Sequence, residues 1–394
     1  MVFKKKKRRR PGKTGIRRVL LFLCFLLFFG IVITGVCFYR SGSTGSTPSP
    51  LYEEIYTGPS ELYNTIQQID HSVYEALYQN GIGLEDIFFT SVIPMFGKGY
   101  EWEFTEVLVK LSNEDAAIQL QKGINRELTK LGPAVNIHHE DFSAGEYVFQ
   151  VYTLGLYTHR IRLLKKAPRV PAHRGLPSIA IIIDDMGYDR KLASSLMDCD
   201  LPLCFSFLPF APFSDSIICE AKKRGREILL HLPMEPKGYP RLDPGPGALL
   251  VKMGKEEIEE RIEELIKKTP GLSGVNHHMG SDFTERYDKM EIVLRELKKR
   301  NLFYVDSRTT SRSVAYLVAK KIGVPVVKKN VFLDNDLSPK AIRSQMERLL
   351  GIARYSGAAV GIGHPHRQTL RILREYLDQL KSQYNVVPVS ELVN

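Results

Sequence analysis

The sequence predicts an α/β protein in which a small α+β domain precedes a larger parallel βα domain. Two observations carry this prediction. From residue 178 onward, short apolar segments alternate with amphipathic ones over about 215 residues, a pattern typical of βα units around a parallel sheet or barrel. Between residues 55 and 165 helical and strand patterns follow one another without that alternation. A chain of 394 residues is long enough to form a core in each domain.

Residues 1–18 form a basic tail. Of the 55 Lys and Arg residues of the chain, ten lie here, which leaves 45 basic against 44 acidic residues in the remainder. A basic face for nucleic-acid phosphates is therefore not supported, and we expect no nucleic-acid partner. A nuclear or nucleic-acid tract is the alternative interpretation of "KKKKRRR", but the uncharged segment after the tail explains it better.

That uncharged segment, "VLLFLCFLLFFGIVITGVCFY", occupies residues 19–39. It is long enough to cross a bilayer as a transmembrane helix. Basic residues before it predict a cytoplasmic tail, with the rest of the chain outside the cytoplasm in the bacterial periplasm or cell envelope. A cleaved signal peptide is the alternative, but the run is long for one and no small-residue cleavage site comes after it. Residues 40–54 are predicted to be a flexible polar linker.

The small α+β domain is predicted at residues 55–165. Residues 60–80 have a helical period, 101–112 alternate as a strand, and 113–132 predict an Asn-capped helix that ends at a glycine. Two further strands are expected in "AVNIHHEDF" and "EYVFQVYTLGLYTHRIRLL". We interpret His138, His139 and Glu140, which cluster on the first of these, as polar surface residues rather than a metal site.

A second linker, rich in Pro and Arg, is predicted at 166–177, before the larger βα domain at 178–394. The cysteines of this domain, Cys199, Cys204 and Cys219, lack the spacing of a metal or redox motif. We interpret them mainly as small core residues, with a Cys199–Cys204 disulfide as the alternative.

Polar residues recur where the predicted strands of the larger domain end. In chain order they are Asp184 and Asp185, His231, His277 and His278, Asp306 and Arg308, Asp334 and Asp336, and His364 and His366. The carboxyl ends of parallel strands converge on one face, where active sites of βα folds lie. The sequence therefore predicts an active site on this face.

The adjacent carboxylates in "SIAIIIDDMGYD" predict what kind of site it is. Two like charges against an apolar strand are costly unless one is neutralised. A divalent cation ligated by one Asp neutralises it, and the other Asp stays free beside it as a base. Imidazoles from other strands complete a site that activates water. Because successive side chains on a strand point to opposite sides, we expect the turn at Gly187 to bring both carboxylates to the site.

The order of these motifs resembles the polysaccharide deacetylase (NodB-type) superfamily, and more closely its divergent branch. The matching stretches are "AIIIDDMGYD", "FSFLPFAP", "ILLHLPMEP", "DPGPGALL", "GVNHHMGSDFT", "YVDSRTTSRSVA", "VFLDND" and "GIGHPHRQTL". The resemblance covers residues 178–394 and implies an irregular (β/α)7 barrel. The membrane anchor and the α+β domain before it also fit the envelope arrangement of that branch.

The resemblance implies a reaction and residues that carry it. The reaction is hydrolysis of an N-acetyl group on an amino sugar, so the partner is a glycan such as peptidoglycan or another N-acetylated polysaccharide. Asp184 is implied as the base, and Asp185 and His231 as ligands of one divalent ion, most simply zinc. His364 is implied as the acid that protonates the leaving nitrogen.

The sequence departs from the family pattern at two points. Position 235 is Glu235 where the family has a ligand histidine, and the usual Arg-x-Pro-Tyr segment is absent. We expect His278 to replace the missing imidazole, with His277 as its neighbour. Glu235 is expected either to ligate the metal or to orient a ligand.

Asp306 and Arg308 are expected to form a pair that steers a base or binds substrate.

Three other functional classes are alternatives to a deacetylase. A receiver domain would need an Asp and a Lys at strand ends that hold His231 and Arg308. A haloacid-dehalogenase-like phosphatase would need Asp-x-Asp rather than adjacent aspartates. The serious alternative, which the two departures favour, is a catalytically weak or inactive glycan-binding envelope protein on the same scaffold.

Overall fold

The computed structural model describes residues 60–142, 146–165 and 175–394. Within these ranges two sheets with their helices belong to one compact unit. The predicted tail at 1–18, anchor at 19–39 and linker at 40–54 lie outside the described residues. Among the helices that are described, none is long and apolar enough to cross a membrane.

The first sheet has five strands in the order β1-β2-β5-β4-β3, all antiparallel pairs except β2 with β5. Two helices accompany it. The elements in chain order are α1 (Ser60–Gln79), β1 (Ile87–Gly97), β2 (Tyr100–Lys110), α2 (Glu114–Thr129), β3 (Val135–Phe142), β4 (Glu146–Thr153) and β5 (Leu156–Leu164).

Local sequence explains these elements. The apolar face of α1 is buried through Leu62, Ile66, Ile69, Val73 and Leu77, as its period predicts. The side chain of Asn113 caps α2 by accepting a hydrogen bond from the amide of Ala116 at 2.8 Å.

One strand prediction was wrong. The stretch 146–164 is a hairpin rather than a single strand, because Leu154 and Gly155 both have positive φ (51° and 70°) and form its tight turn.

The second sheet is parallel and curls into a half-barrel, which fits the predicted NodB-like α/β fold. Its strand path is β11-β10-β9-β8-β7-β6-β13-β12, with β14 paired to β6. The elements are β6 (Ser178–Met186), α3 (Arg190–Met197), β7 (Cys204–Phe207), α4 (Ser214–Lys223), β8 (Glu227–Met234), α5 (Lys255–Lys268), β9 (Gly274–Met279), α6 (Tyr287–Lys299), β10 (Phe303–Asp306), α7 (Ala315–Ile322), β11 (Val326–Lys328), β12 (Val331–Phe332), α8 (Pro339–Ser356), β13 (Ala358–Gly363), α9 (Arg367–Glu375), α10 (Leu377–Gln383) and β14 (Asn385–Val386).

The path holds eight strands because the stretch predicted as the sixth strand is divided into β11 and the two-residue β12. No ladder joins these two strands in the described sheet, so its edges stay open where a closed barrel would pair them. The three cysteines that the structure describes form no disulfide: Cys199 and Cys204 are buried, whereas Cys219 is exposed. The alternative of a Cys199–Cys204 disulfide is therefore not realised.

The polar face of β2 docks against the larger domain instead of facing solvent. Glu101, which is 3% exposed, accepts hydrogen bonds from Lys237, Thr310 and the amide of Ser311. Two residues on, Glu103 lies 3.2 Å from a guanidinium nitrogen of Arg348. Because residues i and i+2 share a face of a strand, β2 contacts two loops and the helix α8 of the larger domain at once.

We predict that Glu101→Gln lowers the free energy of unfolding by about 1.5–3 kcal/mol, the range for hydrogen bonds to charged groups. The amide keeps the size of the side chain but loses the charge 2.5 Å from the Lys237 ammonium. Denaturant unfolding measures the change. Glu114→Gln is the matched control, because its ion pair with Lys165 is exposed and should contribute less than about 1 kcal/mol. Equal effects of the two substitutions would contradict the prediction.

Candidate active site

The aspartate pair at the end of β6 is buried, and the backbone turns within the pair. Asp184 and Asp185 are 2% and 3% exposed. Asp185 has φ of +53°, a left-handed conformation that is strained for a residue other than glycine. The extended backbone of β6 is therefore interrupted by an irregularity at Asp185, between the paired residues Ile183 and Met186 and two residues before the expected turn at Gly187. This lets both carboxylates reach the same edge of the sheet.

Gly187 keeps a separate function in this turn. Its φ is +132°, and a Cβ there would lie 2.4 Å from the hydroxyl of Ser214 and 2.5 Å from Cβ of Ala211. Only glycine fits so close a packing between the end of β6 and the start of α4.

Three ligand-type atoms converge beside this turn. Oδ1 of Asp185 lies 3.1 Å from Nε2 of His231 and 3.1 Å from Nδ1 of His278. All three side chains are buried, and these atoms lie within 4.8 Å of one another. Oδ1 accepts no hydrogen bond from the described residues, although buried carboxylate oxygens normally do. An oxygen and two nitrogens that face one another in this way fit a divalent cation.

The two carboxylates of the pair differ in electrostatic environment. Burial by itself raises the pKa of Asp185, but His278 and His231 outweigh it and hold the pKa well below its ordinary value. Burial raises the pKa of Asp184 despite the opposing effect of His231. Neighbouring carboxyls whose pKa values are pushed apart are typical of sites in which one is an anionic ligand and the other handles protons.

Asn276 joins Asp184 to His231. Its Oδ1 accepts hydrogen bonds from the Ser206 hydroxyl at 2.5 Å and from Nδ1 of His231 at 2.9 Å. Its Nδ2 donates to both oxygens of Asp184, at 2.8 and 2.9 Å. With Nδ1 of His231 donating to the amide, the Nε2 lone pair is left to face Asp185. Such partners fix the tautomer and orientation of a metal-binding imidazole.

The family assignment comes from a comparison over the larger domain. A family model described as divergent polysaccharide deacetylase matches residues 181–393. The chain belongs to this family.

Two relatives and a solved structure are similar to part of this chain. The uncharacterized protein YibQ of Escherichia coli (strain K12) is 33% identical over 216 residues, which are 55% of this chain and 67% of that protein. An uncharacterized protein of Haemophilus influenzae is 31% identical over 214 residues, 54% of this chain and 76% of the relative. The crystal structure of uncharacterized protein ATU2773 from Agrobacterium tumefaciens C58 has 25% identity and a TM-score of 0.54, and the match covers 56% of this chain and 91% of that one.

His364 lies within the region matched by the deacetylase family and is held by a buried carboxylate. Its Nδ1 lies 2.8 Å from Oδ1 of Asp334, and its backbone amide donates to Oδ2 at 2.7 Å. The hydroxyl of Thr369 also donates to Oδ2, at 2.5 Å. Burial alone would lower the pKa of His364, but Asp334 outweighs it and raises the pKa to about 9. The imidazole is therefore protonated at neutral pH, the state that a general acid requires.

His277, the neighbour of His278, is directed elsewhere. Its ring stacks on Tyr304 with centroids 5.9 Å apart, and its Nδ1 lies 2.6 Å from the tyrosine hydroxyl. Burial lowers the pKa of His277 to about 4, so the ring is neutral. On the strand β9, Asn276 and His278 share one face and His277 takes the other.

The remaining predicted residues lie outside the group of three ligand atoms. Glu235 accepts a hydrogen bond from the amide of Val251 at 2.7 Å and so fastens the loop after β8. Asp306 accepts hydrogen bonds from the backbone amide of Arg308 at 3.0 Å and from the Ser313 hydroxyl at 3.1 Å. No ion pair joins Asp306 to the guanidinium of Arg308 in the described structure, so the expected pair is replaced by a carboxylate that holds its own loop.

The histidine-containing stretch on β3 does not form a second site. The ring of His138 contacts Tyr152, and that of His139 contacts Phe149. Glu140 accepts a hydrogen bond from Gln150. Among the described residues, the ligand atoms that cluster belong to the Asp185 group and not to these three side chains.

Proposed function

We propose that this chain is a metal-dependent hydrolase that removes N-acetyl groups from an amino-sugar polysaccharide of the cell envelope. One observation carries the proposal: the three convergent ligand atoms of Asp185, His231 and His278 lie on a strand-end edge that also holds a second buried carboxylate, Asp184, and a protonated imidazole, His364. Amide hydrolysis needs a base for water and an acid for the leaving amine, and this edge offers both.

The proton movements can be assigned to these side chains. Asp184 accepts a proton from water as the hydroxide adds to the acetyl carbonyl carbon. His364, whose Nδ1 is held by Asp334, donates a proton from Nε2 to the sugar nitrogen as the carbon–nitrogen bond breaks. The products are a free amine and acetic acid, which ionises to acetate. The cycle closes when Asp184 releases the proton that it took from water and His364 takes one up.

The residues present fit a divalent ion. Asp185, His231 and His278 would hold it, and their nitrogen and carboxylate ligands suit zinc. When bound, such an ion supplies Lewis acidity, which lowers the pKa of water and polarises a carbonyl. Asn276 orients His231 for this binding.

Acetate release from N-acetylglucosamine oligomers and from peptidoglycan fragments tests the function. We expect release that stops when a chelator is added and returns with zinc.

The second candidate is a glycan-binding protein without catalytic activity. It is favoured by Glu235, which stands where the family has a ligand histidine and whose carboxylate binds a backbone amide instead. If the oligomers bind but no acetate is released at saturating zinc, the second candidate is supported and the hydrolase is ruled out.

Removing the partner of His364 should change the pH dependence of turnover. Asp334→Asn removes the largest effect that opposes the burial of His364 and leaves only the smaller effects of Asp185 and Asp184, so we expect the pKa of His364 to fall from the neighbourhood of 9. The alkaline limb of the kcat profile should move down by at least about one pH unit, since one unit corresponds to about 1.4 kcal/mol and hydrogen bonds to charged groups contribute about 1.5–3 kcal/mol.

Acetate release measured across pH provides this profile, and Asp378→Asn, an exposed change on α10, is its control. An unchanged alkaline limb in Asp334→Asn would show that His364 is not the acid whose ionisation limits turnover.

The uncharged run 19–39 supports a further part of the proposal, a membrane anchor with the catalytic domain outside the cytoplasm. A reporter enzyme that is active only after export, fused behind Asn394, should be active in cells that make the full chain. Replacing two leucines of the run by arginine should abolish that activity, because charged residues at a helix centre oppose insertion. Activity of a cytoplasm-only reporter in the same position would overturn this placement.

A further inference from the structure

A polar groove lies between α1 of the small domain and the beginning of α8 of the larger one. Its volume is about 330 Å³, within the roughly 300–1,000 Å³ typical of ligand pockets. One wall is formed by Tyr63, Asn64, Gln67, Gln68 and His71 on α1, and the other includes Asp336 and Lys340. The groove is outside the group of metal-ligand atoms and has no part in the chemistry proposed above.

The lining of this groove suits a neutral, hydroxyl-rich ligand, because its charged side chains are engaged within the protein. Lys340 contacts His71, and Asp336 accepts a hydrogen bond from the amide of Ser338. Asn64, Gln67 and Gln68 lie at i, i+3 and i+4 and therefore share one face of α1. Each amide offers donors and an acceptor, and none of the three has a hydrogen bond within the described residues. Charged residues make up 25% of the chain, yet this face of α1 presents amides instead.

A peptide is a poorer match than a sugar chain. Ala341 is the one aliphatic residue among the side chains that line the groove, so apolar side chains of a peptide would find no pocket. The ring of Tyr63 offers a flat surface for the apolar face of a sugar, while amides and hydroxyls bind its hydroxyl groups.

The groove is continuous with the segment that holds the proposed acid. Asp334 binds His364, and Asp336, two residues further on, lines the groove. Phe332, on the other side of Asp334, stacks on the His364 ring with centroids 6.2 Å apart. It also lines a narrow cavity together with Tyr63 and Gln67. Residues 332–336 therefore contact His364 and also line the groove.

A narrow cavity lies beside the groove and shares Tyr63 and Gln67 with it. The narrow cavity has a volume of about 20 Å³, enough for a single water. Beside it, the carboxylate of Glu103 lies 3.2 Å from Arg348, which is 5% exposed. A ligand therefore lies in the open groove rather than passing beneath it, and the groove is already formed without a ligand.

We propose that this groove binds neutral sugar units that flank the residue being deacetylated, so that the α+β domain is a substrate-binding part of the protein. The inference rests on the proposed function for its substrate class. It predicts that the protein distinguishes long oligosaccharides from short ones through residues of α1.

The test compares N-acetylglucosamine dimer and hexamer as substrates of the full chain. In the double variant Asn64→Ala, Gln67→Ala we expect kcat/KM for the hexamer to fall about 10-fold or more, as the loss of two hydrogen bonds predicts. The value for the dimer should not change. Gln119→Ala, an exposed amide on α2, is the matched control. An equal fall for both substrates, or no fall for either, overturns the inference.

Direct binding of the hexamer separates this inference from the proposed function. It is measured by calorimetry on Asp184→Asn, with and without the double substitution. If the double substitution weakens hexamer binding and the wild-type chain releases no acetate, the groove inference is supported and the proposed hydrolase function is contradicted. Release of acetate with unchanged hexamer binding would overturn the groove alone. Absent hexamer binding, or displacement of the hexamer by a neutral hexapeptide, would also overturn the groove.

Discussion

The Asp184→Asn variant should keep its metal and lose turnover by roughly 10²–10⁴-fold, the range for general acid–base catalysis. The amide has the shape of the carboxylate, and its oxygen still accepts a hydrogen bond from Asn276, so the surroundings of the site are preserved. It has no basicity, however, and cannot take the proton from water. Metal content by mass spectrometry and acetate release, both measured on one preparation, report the two properties separately.

Asp185→Asn provides the contrast. Its Oδ1 is the atom that lies 3.1 Å from both imidazoles, so replacing it should weaken metal binding itself, with turnover lost as a consequence. Equal loss of metal in the two variants would show that both carboxylates are ligands and that Asp184 is no base. A glycan-binding protein without chemistry would release no acetate in any form, and Asp184→Asn would change only its affinity or nothing.

The positions of the candidate site residues could be predicted because chain direction determines them. Parallel strands bring their carboxyl ends together, so Asp185, His231 and His278 had to lie on one edge once the strands were recognised. Their convergence to within 4.8 Å could not be predicted. It depends on the positive φ of Asp185, which no local pattern indicates because aspartate rarely adopts that conformation.

The role of Asn276 could not be predicted from the sequence for a different reason. The alternation within "GVNHHM" places it on the same face as His278, which was a usable signal. An amide has no charge and no characteristic role, however, and its function became clear only from its contacts with Asp184 and His231.

Contacts with distant parts of the chain determine the surroundings of Glu101, Glu103 and Glu235. Residues 101–105 alternate as a strand with one polar face, and such a face normally meets water. Here Glu101 and Glu103 contact the larger domain instead, because the loops they meet supply matching donors. Glu235 was expected either to ligate the metal or to orient a ligand, and in the structure its carboxylate accepts a hydrogen bond from the amide of Val251. Partners that are distant in sequence determine these contacts, so local patterns cannot reveal them.

The assignment of His278 rather than His277 as a ligand leads to the second large expected effect. His278 presents Nδ1 to Asp185, whereas His277 contacts Tyr304 on the opposite face of β9. In His278→Ala we expect the affinity for zinc to fall by more than the roughly 10–100-fold that loss of a ligand's hydrogen-bond partner costs. Turnover at low zinc should be lost with it.

His277→Ala is the matched variant, because it removes an adjacent, equally buried imidazole. It should lower stability through the cavity it leaves, yet keep the metal. Competition with a chromophoric chelator measures affinity. The rise in unfolding temperature on adding zinc provides a second readout, since a ligand that binds only the folded state stabilises it by RT ln(1 + [L]/Kd). That rise should persist in His277→Ala and disappear in His278→Ala at the same zinc concentration. The reverse result would move the ligand by one residue to the other face of β9, and with it the site, because His277 lies on the face away from Asn276 and the aspartate pair.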